Sequence, residues 1–224
     1  MKLYPAKIGW FTGAALALAL GASISPVQAQ AVPGLSTVKV AGGFIAPIFV
    51  TAAPGDKTRL FVVERGGVIK ILNLRTGTVN STPFLDISSE VSLSSEEGLL
   101  GLAFDPNFAT NRRFYVNYGA PGGSFGAGQT HISQFLVSTN PDIADPTSEL
   151  VVLAIDQPQA NHNGGWIGFS PRPGDDGNLH IAGGADGARH DAGPGPSQPG
   201  GQAQTRASAP RTSPRNPLEH KPPP

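Results

Sequence analysis

Between residues 42 and 182 the chain alternates short apolar runs with turn residues, and no segment holds the 3.6-residue period of an amphipathic helix. This pattern predicts an all-β fold. The clearest pair of strands is Arg59-Leu-Phe-Val-Val-Glu64 and Val68-Ile-Lys-Ile-Leu72, joined through Arg65-Gly66-Gly67. Glycines there can take the positive φ that a tight hairpin demands. Further strands are predicted over 44–51, 99–104, 113–118, 131–137, 150–155, 166–169 and 179–182. Strands recurring roughly every 10 to 20 residues with glycine-rich turns suit either a sandwich or a propeller. Leu99-Leu-Gly-Leu-Ala-Phe104 is apolar on both faces, as a strand between stacked sheets must be, and this favours the propeller.

The two ends of the chain read differently. Residues 1–29 have the form of a secretory signal: Lys2 and Lys7, an apolar stretch over 8–22, and the small-residue site Val27-Gln28-Ala29, with a second cut available at Ala29-Gln30-Ala31. The alternative, a membrane anchor, needs an apolar run of roughly 20 residues, longer than this one. Export to the periplasm or the outside is expected, with no membrane attachment after cleavage. Beyond Ile181 the chain has no further Val, Ile, Phe, Tyr, Trp or Met, and Leu218 is its last large aliphatic residue. Such a segment cannot bury enough apolar surface to offset its ordering entropy, so 185–224 is expected to be disordered.

Composition narrows the chemistry. The chain has no cysteine, so in an oxidising compartment its stability must come from packing or ligands rather than disulfides. Sixteen basic and sixteen acidic residues leave no electrostatic footprint for nucleic acid. The most pointed local feature is Asn161-His-Asn-Gly-Gly165, which sets a histidine on a glycine-rich turn ahead of an apolar strand. His162 reads either as a turn residue bonded to neighbouring carbonyls or as a proton acceptor, because a neutral imidazole is available near neutral pH. Asp175-Asp-Gly-Asn178 lacks the spacing and closing glutamate of an EF-hand and reads as a turn. Asn80-Ser81-Thr82 fits a glycosylation sequon. His131, His180 and His190 have no partners at ligand spacing, and no metal ligand is assigned.

Five motifs in order resemble the soluble quinoprotein sugar dehydrogenases, the glucose/sorbosone dehydrogenase family. They are Arg59-Leu-Phe-Val-Val-Glu-Arg-Gly-Gly67, Pro83-Phe-Leu-Asp-Ile-Ser88, Glu97-Gly-Leu-Leu-Gly-Leu-Ala-Phe-Asp-Pro-Asn-Phe108, Arg113-Phe-Tyr-Val-Asn-Tyr118 and Asn161-His-Asn-Gly-Gly165, together covering 35–184. The resemblance implies a six-bladed β-propeller that binds pyrroloquinoline quinone (PQQ) with calcium and oxidises aldose sugars, passing a hydride from the anomeric carbon to the quinone. By the same resemblance His162 is the general base for the anomeric hydroxyl. Glu96 falls where the family commonly has a glutamine contacting the quinone, and Asn161 where some members carry an acid. A carboxylate at 96 would face an anionic cofactor unfavourably.

At roughly 40 to 50 residues per blade, the span 35–184 makes about three blades, so a six-bladed ring does not close. The calcium carbonyls and the basic residues that hold the quinone in the family lie later than this chain reaches. Gly183-Gly-Ala-Asp-Gly187 and Pro199-Gly-Gly-Gln-Ala-Gln204 still resemble family sequence, while the residues between and after them turn foreign, as a shifted reading frame would produce. The expectation is therefore a truncated family member, an enzyme by descent that is inactive as an isolated chain. The alternative is a non-catalytic exported binding or assembly module that self-associates through open sheet edges.

Overall fold

A computed structural model describes residues 36–172 and 177–184, together with the backbone of Arg206–Ala209. The chain forms two units, Met1–Val38 and Lys39–Pro224, and all the described strands belong to the second. Three antiparallel sheets make up that unit. The first follows the order β1 (Pro47–Thr51), β2 (Arg59–Glu64), β3 (Val68–Asn73), β4 (Thr78–Val79), with β5 (Leu85–Asp86) paired to the other end of β3. The second is β6 (Leu99–Phe104), β7 (Arg113–Ala120), β8 (Gln129–Val137) and β9 (Ala144–Asp156), with the single turn α1 (Phe108–Asn111) between β6 and β7. The third is β10 (Gly164–Phe169), β11 (Leu179–Gly183) and β12 (Arg206–Ala209). Strand order equals chain order in the second and third sheets, which makes each a meander of the kind that forms a propeller blade.

The apolar pattern shows why the second sheet lies between the other two. Leu102 and Phe104 of β6, Phe114, Val116 and Tyr118 of β7, and Phe135 and Val137 of β8 face one way, into a cluster with Phe61, Val63, Ile69, Ile71 and Phe84 of the first sheet and its loops. The alternate residues Ala103, Tyr115 and Ile132 face the other way, into a cluster with Ile167, Leu179 and Ile181 of the third sheet. A pleat with both faces covered requires two apolar sides. The first cluster is dense in aromatics: Phe61 stands edge-on to Phe84 at 4.8 Å and to Phe104 at 4.7 Å, while Phe114 stacks on Phe135 at 5.8 Å. Offset and edge-on pairs of this kind add stabilisation beyond the area they bury.

The predicted hairpin is present with Gly67 at φ +98, and the 99–104 strand has the predicted bounds. Most other boundaries differ by one or two residues, and two differ by more. The first strand starts at Pro47 rather than at 44, because Ala46 sits at φ 45 and breaks the extended backbone. β9 starts at Ala144 rather than at 150. There the turn-like Asp145-Pro-Thr-Ser148 is carried in a strand with shifted register, and Asp145 accepts from the Thr147 backbone and hydroxyl at 2.9 and 2.7 Å.

The proposed signal segment 1–29, the Asp175–Asp176 part of the turn and most of 185–224 lie outside the described residues. The expectation of a tail without structure needs amending at four positions. Arg206–Ala209 pairs with β11, Ala182 opposite Arg206 and Leu179 opposite Ala209. A ladder uses main-chain groups, so it does not need the core side chains that this segment lacks.

Candidate functional site

The loop that carries His162 is held by close backbone packing. A Cβ on Gly101 of β6 would stand 2.3 Å from the Gly165 carbonyl oxygen, so β6 and β10 approach as closely as two backbones can at that point. A Cβ on Gly184 would overlap the His162 carbonyl at 1.6 Å. The glycines of this region are therefore needed for contact as well as for turning. His162 itself adopts φ 59, a left-handed conformation that costs a non-glycine residue and persists only where its surroundings enforce it.

Glu96 supplies part of that enforcement. Its carboxylate Oε2 accepts the His162 backbone N–H at 2.9 Å, and its own N–H donates to the Ala160 carbonyl at 3.3 Å. Two loops distant in sequence are thereby stitched together. The Glu96 loop is tied in turn by Arg65 from the β2–β3 turn. Arg65 donates from Nε to the Glu97 carbonyl at 2.7 Å and from Nη2 to the Leu93 carbonyl at 3.1 Å, and it also contacts the Ser95 carbonyl. Sequence reasoning passed over Arg65, although the Arg-Gly-Gly turn was legible as a motif.

Glu96, Asn161 and His162 all line one cavity of about 100 Å³, together with Glu97, Leu100, Gly119, Thr130 and Asn163. The three predicted site residues are thus brought together. His162 is exposed, and among the described residues its ring nitrogens carry no hydrogen bond, so they are free to meet a ligand. Glu97 was not singled out from the sequence. It is buried, its Oε2 accepts from the Ser92 hydroxyl, and among the described residues its Oε1 has no partner. Asn163 donates from Nδ2 to the Gln159 carbonyl at 2.9 Å, and among the described residues its buried Oδ1 has no partner.

A polar chain runs beside the cavity through residues to which the sequence reading assigned no role. The Tyr118 hydroxyl donates to Glu149 Oε1 at 2.7 Å and meets His131 Nδ1 at 3.2 Å, and His131 Nε2 meets Gln129 Oε1 at 3.1 Å. Burial, and then the Glu149 carboxylate, push the Tyr118 hydroxyl well above its ordinary range. Burial lowers His131 despite the opposing pull of Glu149. Gln129 Nε2 donates to Asp156 Oδ1 at 2.5 Å, and Asp156 Oδ2 accepts from Ser124 Oγ at 2.6 Å.

Comparison with known proteins decides the lineage. The family model for glucose/sorbosone dehydrogenase matches residues 46–221. The chain belongs to that family. Among solved structures this dehydrogenase-family chain is similar to the PQQ-bound aldose sugar dehydrogenase of Streptomyces coelicolor, at 27% identity and TM-score 0.53, covering 66% of this chain and 41% of that one. The apo aldose sugar dehydrogenase of Escherichia coli matches in fold at 24% identity and TM-score 0.52, covering 65% and 40%. Among curated proteins it is similar to the Hedgehog-interacting protein of mouse, 31% identical over 156 residues, and of human, 32% identical over 152 residues. The chain spans 22% and 21% of the length of those two relatives.

The fit of this cavity to PQQ can be tested on its lining. His162 offers a proton acceptor at the lining, but the side-chain space at Gly119 and Gly164 is filled by Glu97 and by the Ala182 carbonyl, so neither glycine opens room for a flat group. PQQ is also a tricarboxylate, and the lining contains Glu96 and Glu97 but no lysine or arginine. Among the described residues the cavity therefore does not fit the cofactor's carboxylates, and no chemical step is derived through it. The described residues contain no group of three or more His, Cys, Asp or Glu side chains able to hold a metal ion.

Proposed function

We propose that this chain carries the sugar-binding and proton-accepting part of an aldose dehydrogenase site, with His162 as the general base. The observation that supports it most is the convergence of Glu96, Asn161 and His162 on one cavity, Glu96 lying 66 residues from His162 in sequence, with the His162 ring exposed and, among the described residues, unbonded. In this reading the neutral imidazole takes the anomeric hydroxyl proton. Glu96 acts in it as a positioning residue, because its carboxylate accepts the His162 backbone N–H. Asn161 offers an amide at the same wall. Oxidation also requires a hydride acceptor, which in the family's PQQ-bound member is the quinone. The cations needed to hold that quinone would come from outside the described residues.

The test is aldose-dependent dye reduction with PQQ and calcium supplied, run on this chain and on a version extended by the portion that the solved relatives possess and this chain does not. The extended protein is expected to turn over aldose and to lose turnover in His162→Ala, while the 224-residue chain alone is expected to show none. Turnover that survives His162→Ala in the extended protein would overturn the assignment of the base.

A second reading is favoured by the Hedgehog-interacting proteins, which match at higher identity than the solved sugar dehydrogenases do. In it the chain is an exported, non-catalytic binding module, and self-association through the β1 and β12 edges belongs with it. A chain that binds no aldose but elutes as a defined dimer in size-exclusion chromatography would support that reading over the first.

A further inference from the structure

A second opening lies at the end of β10 away from His162. There the last residues of β1, β6 and β10 and the turns that follow them enclose a groove of about 550 Å³. Of its lining, only Thr51 and Ser170 carry polar side chains and no residue is charged; Phe49 and Pro54 stand on one side, Trp166 and Phe169 on the other. Trp166 is the part of this wall that the core does not use. It is 53% exposed, belongs to neither core cluster, and leans along its own strand against Gly168, where a Cβ would stand 2.6 Å from Cζ2 and 2.9 Å from Cη2. Among the described residues its indole N–H has no acceptor. Ser170 Oγ accepts the Arg172 N–H at 3.3 Å, which leaves the serine proton to donate.

Aromatic faces edged by donors call for an occupant with much C–H surface, carbonyl acceptors and few donors of its own. A polyproline II strand has that chemistry, because its backbone makes no internal hydrogen bonds and proline has no N–H. The chain carries such a segment and delivers it to this end of the fold. β12 is antiparallel to β11 and therefore parallel to β10, and it ends at Ala209 opposite Leu179, which stands opposite Phe169. Two strand spacings put the Ala209 backbone about 10 Å from Phe169. Residues 210–224 follow, Pro210-Arg-Thr-Ser-Pro-Arg-Asn-Pro-Leu-Glu-His-Lys-Pro-Pro-Pro224, six of the fifteen being proline. At about 3.1 Å per residue in polyproline II form this length reaches about 46 Å, well beyond Trp166. Its prolines also limit the conformers that docking must give up.

We propose that residues 210–224 dock in this groove as a polyproline II strand, with prolines packed on Phe49, Trp166 and Phe169 and backbone carbonyls accepting from the Trp166 N–H and the Ser170 hydroxyl. The groove and the His162 cavity lie at opposite ends of β10, so this docking does not depend on the sugar-site reading.

The chain has two tryptophans, Trp10 and Trp166, so on a Trp10→Phe background the indole of Trp166 is the sole reporter. The experiment compares acrylamide quenching of its fluorescence in the full 224-residue chain, in a chain ending at Ala209, and in the full chain carrying Pro214→Ser with Pro217→Ser. A docked strand covers one face of a ring that is 53% exposed, so quenching of the full chain is expected to be about twofold weaker than that of the shortened one. The double serine variant is expected to be quenched like the shortened chain. Because it keeps all fifteen residues, it carries the test even where circular dichroism shows that shortening disturbs the fold. A synthetic peptide of residues 210–224 added to the shortened chain should restore the protection saturably. Docking of a chain's own segment is independent of protein concentration. Protection that grows with concentration would put a second copy's segment in the groove and overturn the proposal. Equal quenching of the full and shortened chains, or full protection in the double serine variant, would overturn it as well.

Discussion

Gly101→Ala is the sharpest probe of how the candidate site is held. The new Cβ would stand 2.3 Å from the Gly165 carbonyl oxygen, 3.2 Å from Ile167 Cγ1 and 3.4 Å from Asn117 Cβ. The first contact is with backbone, so no rotamer change can relieve it. β10 must retreat from β6 by about 1 Å, and overpacking of this kind costs ~1–3 kcal/mol. In a domain of this size that corresponds to a fall in Tm of about 2 to 12 °C. Because Gly165 follows His162 by three residues, the same retreat displaces the loop that presents the imidazole. A misplacement of about 1 Å can cost a hundredfold in a positioned reaction, so turnover of the extended protein should fall further than the loss of stability alone explains. The assays are thermal denaturation by circular dichroism and aldose titration. Gly66→Ala is the control, since a Cβ there meets nothing within 4 Å. If Gly101→Ala melts and binds aldose like Gly66→Ala, the β6–β10 contact is not what holds the site.

Phe61→Ala removes a fully buried ring from the aromatic cluster between the first two sheets, and should cost ~3–5 kcal/mol in chemical denaturation; a loss under 1 kcal/mol would contradict that packing. Hydrogen bonds from Ser124, and then from Gln129, hold the Asp156 carboxyl below the usual carboxylate range. A depressed folded value means that the hold of Asp156 on the loop between β7 and β8 is fully present above the ordinary aspartate pKa and is lost as pH falls through the folded one. Amide exchange at Ser124, corrected for its intrinsic pH dependence, should therefore stay protected at about pH 5 and lose protection toward about pH 3. Loss of protection already between pH 7 and 5 would refute the role of Asp156. His131, lowered by burial, contributes stability above its unfolded pKa that fades as pH falls below about 6.5. His131→Gln should flatten that part of the stability profile. In the extended protein, His162→Ala should lower turnover by about 10² to 10⁴.

Much of this architecture was legible because its causes are local. The Arg59–Glu64 and Val68–Asn73 hairpin announces itself through its β-prone runs and turn glycines, and β6 through its two apolar faces. Strand ends were less legible, since Ala46 at positive φ and the register shifts within β9 arise from tertiary context. At the site, His162, Asn161 and Glu96 could be picked from motifs, but the direction in which Glu96 points could not. A carboxylate aligned with a quinone contact in sequence proves to be bonded to the backbone of the histidine loop. Glu97 carries no sequence signal of its own, because its burial and its unpartnered oxygen among the described residues exist only once the chain is folded.

The central claim is that the cavity bounded by Glu96, Asn161 and His162 is an aldose site with His162 at the reacting hydroxyl. Nuclear magnetic resonance of the imidazole protons during titration of the chain with D-glucose tests it most directly. The account predicts a saturable shift of the His162 ring signals with no matching change at His131 or His180. An unchanged His162 signal at saturating glucose, or equal changes at all three histidines, would contradict it.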